Sequence, residues 1–394
     1  MTPPQRATAT DDRPLLLVLS HLRWDFVFQR PQHLLSRAAH DYDVIVFEEP
    51  LFDAPASRLD ISERKEGVRV AQLHLREGMP ADEVLAEQRR AVAQLAAEGG
   101  ERPLHLWYYT PMALEFSDHL DADLVVFDKM DELSAFKFAP PKLLALEQAL
   151  LDKADVVFTG GASMHRAAED RHGNIHCFPS SINTAHFGQA RNAALPDPED
   201  QAQVAHPRLG FFGVIDERFD VELLARTAEL APQWQFVMIG PVVKIDPASL
   251  PQRENIHWLG GKHYTELPAY LAHWDIGWMP FAINESTKFI SPTKTPEFLA
   301  AGLPVVSTAI TDVVTPYGDE GLVEIAATAG ETVAAVERLL GAERGDWLVR
   351  VDARLAQGSW DQTWASMKSL IDAAATPARS TLSIRVPVEE TVGV

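Results

Sequence analysis

SPTKTPEFLAAGLPVVST, residues 291–308, is the stretch on which the reading of this chain turns. It passes from a polar loop into a short apolar helix, breaks at Ala301-Gly302, and returns as the strand-like run LPVVST. Proline is tolerated in the first helical turn, where its missing N–H would have had no partner. With Pro296 at the first helical position Thr295 is the N-cap, and with Pro292 there Ser291 is; the sequence leaves both open. Either start puts Lys294 beside a helix N-terminus, where N–H groups and the helix dipole favour an anion. A unit charge about 4 Å from one cation gains roughly 4 kcal/mol at an effective dielectric of 20, before desolvation. Glu297 follows three residues later. Its carboxylate either complements the helix start or accepts two hydroxyl hydrogen bonds, as the vicinal diol of a ribose would offer.

Working outward, short apolar runs alternate with amphipathic helical stretches, the pattern of parallel sheets with crossover helices. The first half offers strands at 14–20, 43–47, 68–75, 104–109, 123–127, 155–160 and 174–178. Helices are expected near 30–40, 81–98, 141–153 and 162–171. In ADEVLAEQRRAVAQLAAEG, the residues Val84, Leu85, Gln88, Ala91, Val92 and Leu95 fall on one face. Residues 189–207 are polar and rich in Pro, Asp and Ala, and read as an interdomain linker. The alternation resumes with strands at 208–213, 234–240, 255–260, 275–281, 303–308 and 321–326, and the chain closes in helical segments. The expected fold is α/β, with two doubly wound Rossmann-like domains facing across a cleft. Their limits are 14–188 and 208–358, with the helix 359–375 crossing back to the first domain and flexible tails at 1–13 and 376–394. Ligands of such sheets sit beyond the carboxyl ends of the strands, so the cleft is the expected site.

The 394 residues carry a formal net charge of -21, which disfavours nucleic-acid phosphates and anionic lipid as partners. The single cysteine, Cys177, makes no internal disulfide and fits a reducing compartment. The N-terminus lacks the basic and apolar regions of a signal peptide, and no apolar run is long enough to span a membrane. A dinucleotide fingerprint is absent after RLGFFG, where Gly213 stands alone; the loop VIDER ends instead in Arg218, either a phosphate ligand or a surface arginine paired with Glu217 or Asp220. No HExxH motif, His/Cys cluster or GxSxG elbow occurs. Asp121-Ala122-Asp123 precedes a strand and reads as a turn. In HLRWDFVFQRPQHL, Trp24 either stacks on a ligand ring or lies in the core. Arg23, Arg30 and His33 either contact a charged ligand, or Arg30-Pro31 simply starts a helix. Gly160-Gly161 reads as a tight turn before a helix.

SPTKTPEFLAAGLPVVST, together with FFGVIDER, FDVELLARTAEL and ELPAYLAHWDIGWMPF in order, resembles the retaining glycosyltransferases of GT-B fold in glycosyltransferase family 4. HLRWDFVFQRPQHLLSRAA and FDKMDELSAF resemble a bacterial subgroup linked with surface polysaccharide. The resemblance covers about residues 14–375. It implies that Glu297 holds the nucleotide ribose, that Arg218 and Lys294 bind the donor phosphates with Ser291 and Thr293 beside them, and that no metal or other cofactor is needed. The family's histidine at the end of the fifth strand, which touches the donor sugar, corresponds to Asp128, with Asp131 one turn on. Either aspartate then serves sugar or acceptor, or caps the next turn. Three departures stand out: the family's first glutamate is Phe289 here, its usual arginine is Val214, and the glycine pair usual in its first loop is replaced by Ser20-His21-Leu22-Arg23-Trp24.

The expected catalytic set is Asp128, Asp131, Arg218 and Lys294; the donor set Arg218, Lys294, Glu297, Ser291 and Thr293; the acceptor set Trp24, Arg30 and His33. The expected activity is transfer from a nucleotide-diphosphate sugar to the hydroxyl of a sugar, lipid-linked or small-molecule acceptor. It is expected in the cytoplasm or at the inner membrane face through weak surface association. A sugar-nucleotide epimerase or phosphorylase, or a non-catalytic sugar-nucleotide-binding protein, are the alternatives.

Overall fold

Two parallel sheets organise the chain in a computed structural model that describes residues 12–136 and 139–375. The tail expected at 376–394 and residues 1–11 of the other lie outside the described residues. The first sheet contains β1 (Leu15–Leu19), β2 (Asp43–Phe47), β3 (Arg58–Glu63), β4 (Arg69–His74), β5 (Leu104–Tyr108), β6 (Leu124–Lys129), β7 (Val156–Thr159) and β8 (Ile175–Cys177). Their order is β3-β4-β2-β1-β5-β6-β7-β8. Only the β3–β4 pair is antiparallel. In β1, Leu15, Leu17 and Leu19 belong to one apolar cluster and Leu16 and Val18 to another. Alternate side chains leave a strand on opposite faces, so this split shows a sheet covered on both sides, which is why β1 is apolar at every position.

The second sheet contains β9 (Arg208–Phe212), β10 (Gln235–Ile239), β11 (Ile256–Gly260), β12 (Ile276–Met279), β13 (Val305–Ser307) and β14 (Val323–Ile325), all parallel, in the order β11-β10-β9-β12-β13-β14. Both sheets change strand direction of progress at a central pair, β1/β5 in the first and β9/β12 in the second. Loops diverge at such switch points and leave a crevice there. The two α/β units and their topology are those expected of the sequence.

The connection 189–207 is packed, not loose. Gln201 is fully buried; its side chain accepts from Trp274 Nε1 at 2.7 Å and donates to the Tyr270 carbonyl at 3.2 Å. The last helix, Trp360–Ala375, buries Trp360, Trp364, Met367 and Ile371 against Leu34, Leu35, Val44 and Val126 of the first domain. Trp364 Nε1 donates to Asp41 at 3.0 Å, and Arg37 pairs with Asp361 at 2.7 Å. No helix among the described residues is long and apolar enough to cross a membrane.

Candidate active site

The helix after β12 spans Lys294–Ala300, with Thr293 as its N-cap residue. Neither Ser291 nor Thr295 takes that place. Pro296 occupies the third helical position, where an N–H still needs no intrahelical partner, so the helix starts two residues ahead of it at no cost. Lys294 then extends toward the carboxyl end of β9. Gly213, at φ 136, makes room for it: a Cβ on that residue would stand 2.1 Å from Lys294 Cε and 2.7 Å from Nζ. The lone glycine after β9 thus serves a lysine rather than a dinucleotide. The ammonium lies 5.8 Å from the Phe212 ring centroid and has no carboxylate within ion-pair distance among the described residues. Burial lowers its pKa; Glu297 and Asp216 oppose that, and Arg218 reinforces it.

Arg218 is paired with neither Glu217 nor Asp220. Its Nε and Nη2 bond the Asp216 carboxylate at 3.0 and 2.7 Å, leaving Nη1 without a hydrogen bond among the described residues. Burial works against its charge, but Asp216 more than offsets this and raises its pKa, with Asp131 helping from the other domain. The helix start behind it (Val221) is closed by Asp220, whose side chain accepts from Leu223 N at 2.8 Å. Phe136 of the first domain lies under two cations at once. Arg218 Cζ is 5.4 Å and Lys244 Nζ 5.0 Å from its ring centroid. Lys244, beyond β10, has φ 60, and is the one non-glycine residue with positive φ among those described. Such strain persists where the surroundings impose it, commonly at functional sites. The second domain therefore lines the crevice with three cations: Lys294, Arg218 and Lys244.

Glu297 sits beside this group. Burial raises its pKa to about 7, while Lys294 and the Thr293 hydroxyl pull it down. Tyr264 is its neighbour. The Tyr264 ring stacks on His186 at 4.1 Å, its hydroxyl is buried with no partner, and burial and Glu297 raise its pKa. A carboxylate and a phenol with free hydrogen-bonding capacity suit a polyhydroxyl ligand. Beyond the carboxyl ends of β12 and β13, Asn284, Thr287, Ile310 and Thr311 line a cavity of about 250 Å³.

The first domain corrects several expectations. Strand β6 runs on to Lys129, so Asp128 is a strand residue paired with Phe158, not a group beyond the sheet's edge. Its carboxylate receives Arg30 Nε at 3.0 Å and Nη2 at 2.9 Å, while Arg30 Nη1 donates to the Phe178 carbonyl at 2.7 Å. Both side chains are sealed from solvent, at 0% and 1% exposure. Asp128 is not available to a sugar, nor Arg30 to an acceptor; they satisfy one another. Trp24 is 6% exposed and belongs to the core, so it presents no face to an acceptor ring. His33 stacks on Trp360 at 4.6 Å and meets Phe28 edge-on at 4.7 Å. Burial, with Arg37 and His186, lowers its pKa to about 3. It is neutral at ordinary pH and brings no charge to an acceptor.

Asp131, beyond the end of β6, does face the crevice. Its carboxylate makes no hydrogen bond or ion pair among the described residues, and it acts electrostatically on His21 and Arg218. Gly161, read as a turn, opens the helix Ala162–Ala168 at the domain boundary. A Cβ there would stand 2.4 Å from Asp312 Oδ2 and 2.8 Å from Ser291 Cβ. Asp312 accepts from Ser163 N at 2.9 Å, so Ser291 is an interdomain contact. Asp123 accepts from Leu104 N at 2.8 Å, as a turn residue would. Among the described residues no three His, Cys, Asp or Glu side chains group as metal ligands. Lys244 and Tyr264 had no signal of their own, and His21 stood out only as part of the segment replacing the family's glycine pair; the three lie far apart in sequence, and the folded topology brings them to one crevice.

Residues 206–342 match the family described as glycosyl transferases group 1. The match falls on the second domain. Over 276 residues the chain is 26% identical to TuaH of Bacillus subtilis, whose name gives it as a teichuronic acid biosynthesis glycosyltransferase. That match spans 64% of this chain and 66% of the relative, just under two thirds of its length. Among solved structures, a sucrose-phosphate synthase from Thermosynechococcus elongatus aligns with TM-score 0.68 and 16% identity over 92% of this chain and 99% of that one. Anabaena HepE, solved with UDP and glucose, aligns with TM-score 0.65 and 13% identity over 92% of this chain and 100% of that one. At such identities these likenesses speak to fold, and the fold is GT-B. Arg218, Lys244, Tyr264, Lys294 and Glu297 all fall within the matched residues.

Proposed function

We propose that this protein transfers a sugar from a nucleotide-diphosphate sugar to an acceptor hydroxyl, with retention at the anomeric carbon, in the synthesis of a polysaccharide or glycoconjugate. One observation carries the reading: Lys294 lies against Gly213 at the carboxyl end of β9, beside Arg218, with no carboxylate within ion-pair distance among the described residues. Three cations in one crevice of a chain with net charge -21 call for a compact, multiply charged anion, and a diphosphate is one.

The mechanism follows from where charge develops. As the bond between the anomeric carbon and the phosphate oxygen breaks, the leaving diphosphate gains negative charge. Lys294, Arg218 and Lys244 are fixed before the reaction, so stabilising that charge needs little reorganisation. Glu297 and Tyr264 hold the ribose hydroxyls. The acceptor hydroxyl attacks on the departing face, and its proton passes to the leaving phosphate oxygen. Asp131 holds the sugar or acceptor from the opposite domain. Contacts across the cleft exclude water, which otherwise competes as acceptor. Side-chain cations carry the charge here, and the proposal assigns no step to a metal ion. The acceptor is a saccharide, lipid-linked or free, met in the cytoplasm or at the inner membrane face.

The test is calorimetry after a thermal-shift screen with UDP-, GDP-, dTDP- and ADP-sugars, since a ligand of the folded state raises Tm. Lys294→Ala is expected to weaken binding of the best donor about 100-fold, roughly 2.7 kcal/mol. Unchanged affinity would remove the diphosphate assignment.

A further inference from the structure

The first domain offers a second polar group that the reaction outlined above leaves idle. Ser20 and His21 follow β1 at the centre of the first sheet. Ser20 Oγ accepts from Leu22 N at 3.0 Å, and Ser20 N donates to the Phe47 carbonyl at 3.0 Å, which fixes the turn that presents His21. The imidazole is largely buried, and its Nδ1 has no hydrogen-bond partner. Burial lowers its pKa and Lys244 reinforces that, while Asp131 and a hydrogen bond to the Tyr109 backbone oppose it.

A buried ring nitrogen without a partner is destabilising unless a ligand satisfies it. Its neighbours say what that ligand is. Asp131 accepts hydrogen bonds only, and a neutral imidazole both accepts and donates. The two lie opposite Arg218 and Lys244, the cations assigned to the diphosphate. In a nucleotide sugar the group bonded directly to the diphosphate, on the side away from the nucleoside, is the transferred sugar ring. A ring of hydroxyls, each donor and acceptor, matches His21 and Asp131 together; a second anion would not, because Asp131 repels it.

We propose that His21 and Asp131 form the subsite for the transferred sugar, with His21 bonding a ring hydroxyl. This rests on the nucleotide-sugar reading and adds a specificity-determining residue to it. His21 joins no covalent step; it orients the ring over the cations.

The experiment separates the two claims. UDP, GDP, dTDP and ADP are first ranked by thermal shift on the wild type. The best is then measured by calorimetry beside its glucose and N-acetylglucosamine conjugates, on wild type, His21→Ala and His21→Gln. His21→Ala is expected to raise Kd for the preferred nucleotide sugar about fivefold or more, the worth of one hydrogen bond, and leave Kd for the bare nucleotide within about twofold. His21→Gln, which keeps a donor and an acceptor, restores part of the loss. Equal changes for nucleotide and nucleotide sugar, or none for either, overturn the subsite. Should His21→Ala fail to fold, His21→Gln and His21→Asn are judged by the same ratio. A wild type that binds none of the four nucleotides removes the nucleotide-sugar reading, and this subsite with it.

Discussion

Each domain contains an arginine–aspartate pair, and the two pairs do opposite things. Arg30 and Asp128 are sealed inside the first domain, with 1% and 0% of their side chains exposed. Arg218 and Asp216 stand at the crevice, with 26% and 3%. In the first pair every terminal nitrogen or its neighbour meets an acceptor, through Asp128 or the Phe178 carbonyl. In the second, Asp216 holds one edge of the guanidinium and leaves Nη1 without a hydrogen bond among the described residues. A buried pair is an internal tie; a half-covered pair is an oriented cation with capacity left over. The residue types are identical, and what differs is whether strand register puts the carboxylate inside the sheet or beyond its end.

The comparison breaks most sharply at the sealed pair. Asp128→Ala leaves Arg30 buried and unpaired, and is expected to cost about 3–5 kcal/mol in urea unfolding. Asp216→Ala, whose partner reaches solvent, is expected to cost markedly less stability and to loosen donor binding instead. Equal losses of stability would erase the distinction between them.

Gly213→Ala tests the crevice without touching a charge. The added methyl occupies the place of Lys294 Cε and sits at φ 136, so the lysine is displaced. Donor affinity is expected to fall about tenfold or more by calorimetry, close to the effect of Lys294→Ala, and the double variant should add little to the larger single effect. Additive losses would show that Gly213 acts through something other than Lys294.

Asp131→Ala is expected to slow transfer roughly tenfold while changing nucleotide binding little, measured as kcat against Kd for the nucleotide. If Kd rises instead and kcat holds, Asp131 belongs to the nucleotide side.

Glu297 gives an effect that depends on pH, and its sign is set by its raised pKa. Between its ordinary value of 4.5 and about 7, the folded protein binds more protons at this group than the unfolded chain. Stability contributed by Glu297 is therefore present below pH 4.5 and lost as pH rises through 7. Glu297→Gln should match the wild-type Tm near pH 4.5, exceed it by pH 7 and stay above it at pH 8. A difference that is constant across pH would show an unperturbed carboxylate.

Much of the architecture was legible because both sheets are covered on two faces. Strands such as Leu15–Leu19 and Phe236–Ile239 read as unbroken apolar runs. β3 was not legible: RLDISE is exposed at all but one position, an antiparallel edge strand with no apolar signature. In the site, Lys294 and Glu297 were visible as neighbours because one helical turn carries both. Arg218 was found with the wrong partner, since sequence proximity favoured Glu217 and Asp220 over Asp216. Asp128 was misplaced by the extent of one strand. The apolar run ends at Phe127, but hydrogen bonding continues through Asp128 and Lys129, made possible by Arg30 from 98 residues earlier. His21, Lys244 and Tyr264 come from three separate segments with no shared spacing, and a linear reading has no means of joining them.

The return of Trp360–Ala375 to the first domain has a consequence for any attempt to take the protein apart. The polypeptide crosses between the lobes twice, so severing it near residue 200 would leave the amino-terminal fragment without Trp360, Trp364, Met367 and Ile371, an entire patch of its outer layer. Such a fragment should precipitate unless the missing segment is supplied in trans.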